Sequence, residues 1–166
     1  MKFYYTVVSQ PNIPQSDPAL SLGGFKSSSS IPNADFGNLF SDISAFTMQS
    51  RKNQYIGLIL ENVLNKTISN TKIWIETPEN SVCSYRIAVV ELSDDGEMEL
   101  IPTINSKPFE AEFQKTSKDE PIEIVGEFNT GSQVGIWIER IVNKTTSTLL
   151  DPNASTEEEC CLKLEY

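Results

Sequence analysis

At 166 residues the chain has room for one well-buried core and little more, since a domain commonly takes about 100–200 residues. Thirteen basic against 23 acidic side chains leave a formal charge of −10, which repels a phosphate backbone and argues against direct nucleic-acid binding. There is no histidine, so neither a Ser-His-Asp nor a Cys-His arrangement can be assembled.

The first segment, "MKFYYTVVSQP", has an apolar run too short for a signal peptide, and no stretch approaches the roughly 18 apolar residues of a membrane span. No membrane association is expected. Residues 9–35, "SQPNIPQSDPALSLGGFKSSSSIPNAD", are dense in Ser, Pro and Gly and keep neither helical nor strand periodicity. They do carry spaced apolar residues, Ile13, Leu20, Leu22, Phe25 and Ile31, with Phe36 just beyond. This pattern predicts an extended N-terminal arm that lies over its own domain or a neighbour's. Those six residues are candidate subunit-interface anchors. The five of them within residues 9–35, at about 1.5–3 kcal/mol each, cannot offset the ordering of some 25 residues. The arm is therefore expected to be mobile until assembly, and removal of residues 2–35 to leave a folded domain. Asn33 or Asp35 could cap a short helix through Leu39, Phe40 and Ile43. The chain divides into an arm with connecting turns over 1–50 and a body over 51–166.

From residue 55 the pattern turns to strands. "YIGLILE" (55–61), "TKIWIE" (71–76) and "YRIAVVEL" (85–92) are rich in β-formers, and "SDDGE" marks a turn at Asp95-Gly96. "FEAEF" (109–113) and "PIEIVGEF" (121–128) alternate, which points Phe109, Ala111 and Phe113 inward. "VGIWIERIV" (134–142) and "CCLKLEY" complete the set. Such short strands at roughly ten-residue spacing predict an all-β fold, an antiparallel β-sandwich of immunoglobulin-like or jelly-roll-like type.

One internal echo stands out. Residues 56–67, "IGLILENVLNKT", are mirrored by residues 134–145, "VGIWIERIVNKT". Gly57 matches Gly135, and Glu61 matches Glu139. Period-two alternation puts Ile136 and Ile138 on one face and Gly135, Trp137 and Glu139 on the other. No wider similarity flanks the segments, so the echo reads as two strands with similar ends, not a duplicated domain.

"YIGLILENVLNKTISNTKIWIE", followed later by "GSQVGIWIERIV", resembles a β-sandwich module of structural proteins in tailed bacteriophages. The resemblance covers about residues 52–148. The leader "SLGGFKSSSSIPNADFGNLFSDIS" is similar to that of such proteins in crAss-like phages. The resemblance implies a multicopy virion component without enzymatic activity, made in the host bacterial cytoplasm. Its implied partners are further copies of itself and neighbouring portal, tail or capsid proteins. A ring or collar at the portal–tail neck is the expected position. A capsid decoration protein or a glycan-binding fibre module is the alternative.

The residues themselves suggest no chemistry. "LGGF" lacks the spacing of a phosphate-cradling loop, and "SDDGEME" (93–99) lacks that of a calcium loop. No cofactor or metal is expected. Cys83, Cys160 and Cys161 have no metal-ligand spacing and are read as reduced thiols in apolar packing. Trp74 and Trp137, in mid-strand, are read as core or interface aromatics. With Tyr85 they are also the candidates for a sugar platform. Arg140 is placed to pair with an acidic residue in this chain or the next, which makes it a further interface candidate.

Overall fold

A computed structural model of the protein describes residues 1–32, 39–40, 52–78, 81–143 and 160–166. Phe36, Asn33, Asp35 and Ile43 lie outside the described residues, as do the ends of the second echo segment, Lys144 and Thr145. The described strands are β1 (Lys2–Val7), β2 (Phe25–Ser30), β3 (Gln54–Glu61), β4 (Ile68–Glu76), β5 (Cys83–Val90), β6 (Ile122–Phe128), β7 (Gln133–Val142) and β8 (Cys161–Glu165). A five-stranded sheet in the order β2-β1-β3-β7-β5 faces a three-stranded sheet in the order β6-β4-β8, and every pairing is antiparallel. The antiparallel β-sandwich predicted from the sequence is the architecture observed.

Alternation builds the layer between the sheets. Ile56, Leu58, Leu60, Ile87, Ile136 and Ile138 from the large sheet meet Ile73, Ile75 and Phe128 from the small one. The other face of the large sheet is also buried. Trp137, Ile59, Tyr55 and Ala88 pack there beneath Met98, Ile101 and Ala111. That second cover comes from the long connection between β5 and β6, which joins the ladder at an isolated bridge, Ile87 with Gln114. The "FEAEF" segment belongs to this cover and is not a strand. Ala111 is buried and Phe113 half-buried as predicted, whereas Phe109 points outward.

The echo segments are β3 and β7, hydrogen-bonded to each other about a centre at Leu58 opposite Ile136. Gly57 therefore lies opposite Trp137, and Gly135 opposite Ile59. Each glycine makes room for bulk. A Cβ on Gly57 would come within 3.1 Å of the Trp137 ring, and one on Gly135 within 2.7 Å of Val90. Glu61 and Glu139 end up at opposite ends of the pair. Each is held by a basic residue from another strand of the sheet, Glu61 by Lys26 of β2, two strands away, and Glu139 by Arg86 of the adjacent β5. The echo is thus the approximate two-fold symmetry of one strand pair, not a repeat of domains.

The N-terminal segment differs from expectation. It is not an arm separate from a body that begins at residue 51. β1 pairs with β3 from Lys2–Glu61 to Tyr5–Leu58, and β2 pairs with β1. Beyond Tyr5 the role of β1 at the edge of β3 passes to Ser21. The Gly57 N–H donates to the Ser21 carbonyl at 2.7 Å, and the Gly57 carbonyl accepts from Ser21 Oγ at 2.5 Å and Thr6 Oγ1 at 3.3 Å. Farther along, the Tyr55 N–H finds the Ile104 carbonyl. The ladder groups of β3 are thereby satisfied within the chain, as buried backbone requires. "LGGF" owes its glycines to this docking. Gly23 and Gly24 have φ of +90° and +89°, and a Cβ on Gly23 would lie 1.9 Å from the Glu99 carbonyl oxygen.

A half-buried ion pair ties the hairpin to the sheet. Lys26 Nζ lies 2.8 Å from Glu61 Oε2 and 4.7 Å from the centre of the Tyr4 ring. Burial alone would raise the Glu61 carboxyl. Hydrogen bonds from Lys26, Gln133 and Tyr4, with the lysine charge, outweigh it and leave the group below its ordinary value. A lowered folded value stabilises above the unfolded one, about pH 4.3, and that contribution is lost as pH falls through the folded value. Between pH 5 and pH 3, wild type should therefore lose more of its urea midpoint than Glu61→Gln does. Equal losses in the two proteins would remove Glu61 from the account of acid sensitivity.

Candidate interaction surface

The residues singled out for sites fall into an interior set and a surface set. Glu139, 1 % exposed, accepts from Asn53 Nδ2 at 2.7 Å, from Tyr55 Oη at 2.9 Å and from Arg86 Nε at 2.5 Å. A buried carboxylate is tolerable when its oxygens are filled in this way, and these are filled from strands on either side of its own and from the approach to β3. Arg140, 2 % exposed, points to the opposite face with Ile136 and Ile138. It donates to Gln54 Oε1 from Nε at 2.9 Å and from Nη2, and its guanidinium lies 4.6 Å from the centre of the Phe40 ring. Expected as an interface candidate, Arg140 is buried within the chain, with Gln54 and the Phe40 ring among its contacts.

The aromatic candidates are buried as well. Trp137 fills the second core cluster and Tyr85 the first. Trp74 lies outside both clusters, buried on the outward face of β4, with Nε1 donating to Glu76 at 3.1 Å. None of the three offers the open ring face that sugar stacking needs. Among the arm anchors, Leu22 packs on the second cluster and Ile31 on the first, and Phe25 is half-buried at the start of β2. Ile13 and Leu20 are exposed. Cys83 and Cys160 pack with the first cluster, while Cys161 is exposed.

The most exposed large apolar side chain among the described residues is Phe109, at 92 %. Its backbone is held from below. The Phe109 N–H donates to both oxygens of the Glu99 carboxylate, at 2.8 and 2.9 Å, and the Glu110 N–H to Oε2 at 3.1 Å. Beside the ring is an open hollow of about 640 Å³, with Leu100, 43 % exposed, on its wall and Glu91, Glu97, Glu99 and Glu110 around it. The turn "SDDGE" shapes one side: the Gly96 N–H donates to the Ser93 carbonyl, and the Glu97 N–H to Ser93 Oγ. Among the described residues, no lysine or arginine pairs with these four glutamates. No group of three or more His, Cys, Asp or Glu among the described residues is arranged to hold a metal ion. Likewise no helix there is long and apolar enough to cross a membrane.

Sequence reading missed this surface because alternation in "FEAEF" pointed Phe109 inward. A single local signal argued otherwise: the segment follows Pro108, which cannot donate to a ladder. No family model, curated protein or solved structure matches the chain.

Proposed function

We propose that the protein is a non-enzymatic structural subunit of a tailed-phage virion, present in many copies and working through protein contacts. A ring or collar at the portal–tail neck is the position we favour, and a capsid decoration role is second. The virion reading is supported by the resemblance of the β3–β4 and β7 segments to phage sandwich modules. A role in contacts is supported chiefly by the fate of the polar and aromatic residues. Glu139 and Arg140 are buried and engaged with neighbours within the chain, Glu139 with the half-exposed Arg86, and the aromatics that a glycan-binding module would display are buried. What the surface displays is a fixed, bare phenyl ring beside a hollow.

The test is mass spectrometry of purified virions separated into heads and tails. The expected result is an abundant protein in the tail fraction with the neck components. Recovery in the head fraction would favour the decoration role. Absence from intact particles, with the protein present in infected cells, would overturn the reading.

A further inference from the structure

We infer that the hollow beside Phe109 is a docking contact for a protein segment that places a large apolar side chain between lysine or arginine residues. This deepens the reading of the chain as a contact-making subunit and rests on it. Two independent features of the surface fit one occupant. The first is Phe109, which is 92 % exposed yet anchored by its own N–H and that of Glu110, both donating to the Glu99 carboxylate. A ring presented from an anchored backbone has only its two side-chain torsions left to order on binding, so its burial costs little entropy. With Leu100 it forms the apolar part of a contact whose centre is the hollow.

The second feature is charge. Glu91, Glu97 and Glu110 stand around that apolar centre, and among the described residues none has a basic partner within ion-pair distance. Apolar centres with charged rims are the usual anatomy of a protein contact, and the rim selects the partner by complementary sign. Here the complement is basic. Nucleic acid is repelled by the same carboxylates. A second copy is disfavoured because two-fold pairing would set glutamates against glutamates on chains that each carry −10. A basic segment with one apolar side chain at its middle meets both demands.

The test uses the full-length chain and three nine-residue synthetic peptides: lysine alternating with leucine, lysine alternating with serine, and glutamate alternating with leucine. Binding is followed by fluorescence polarisation at low and moderate salt and by amide chemical shifts. The lysine–leucine peptide is expected to bind and to shift amides over residues 91–110. The other two should bind at least about tenfold more weakly, as should the lysine–leucine peptide to Phe109→Ser, since loss of a central aromatic anchor commonly costs that much. Glu97→Gln with Glu110→Gln should reduce the salt dependence and slow association. Phe109→Ser should melt with wild type, because the exposed ring supports no core.

The inference is overturned if no lysine–leucine binding occurs, if the lysine–serine peptide binds equally well, or if Phe109→Ser binds undiminished. Self-association of wild type that Phe109→Ser abolishes would also overturn it, by making a second copy the occupant. The peptide test uses isolated protein and the virion test uses particles, so failure of one is distinguishable from failure of the other.

Discussion

A chain lacking residues 1–32 is expected not to fold. The deletion removes both strands at one side of the large sheet and unpairs the backbone of β3 from Leu58 to Glu61. It also takes away Tyr5 and Val7 from the interior, the half-buried Phe3, Leu22 and Ile31, and Lys26 from Glu61. A fully buried large side chain contributes about 1.5–3 kcal/mol, so these losses together are of the order of a whole domain's stability, about 5–15 kcal/mol. The truncated protein should show no cooperative thermal transition by circular dichroism and should aggregate through the bared edge of β3. A truncated chain that stays soluble and melts cooperatively near the full-length temperature would show instead that residues 1–32 are an appendage.

Trp137→Ala is the point substitution expected to cost most. The ring is 1 % exposed and has Ile59, Tyr55, Met98 and Ile101 in its cluster. The glycine opposite cannot move in to fill the space. Truncating a buried tryptophan costs about 3–5 kcal/mol. For a chain of this size that lowers the melting temperature by about 6–20 °C. Trp74→Ala, outside both core clusters, is expected to cost less. If Trp137→Ala melts within about 2 °C of wild type, the cover over the outer face of the large sheet is not a second core.

Strands β3 to β8 were legible because each buries one or both faces and writes that in period two. β1 and β2 were not. "KFYYTV" is a β-rich run whose place depends on finding Leu58 to Glu61 more than fifty residues away, and the serines of "FKSSSS" favour turns until a neighbour's ladder overrides them. Arg140 was more legible than its reading: the alternation that sends Ile136 and Ile138 inward carries Arg140 with them. The meeting of Glu139 with Tyr55 and Arg86 depends on register across three strands, which no single segment states. The exposure of Phe109 has the same kind of origin. It follows from a carboxylate ten positions away that captures the local N–H groups before a ladder can.

The facing of Gly57 with Trp137 and of Gly135 with Ile59 also makes β3 and β7 a keyed joint. In an antiparallel pair, a slip of two residues keeps every side chain on its proper face, so hydrophobic patterning alone does not forbid it. Here such a slip is penalised in either direction. One way, the two glycines meet each other and Trp137 is driven against Tyr55. The other way, Trp137 lands on Ile59 while both glycines face the glutamates at the strand ends or their partners' positions. With five apolar residues of these strands wholly buried between the layers, alternation supplies the drive to pair. The two glycines decide that only one alignment can close.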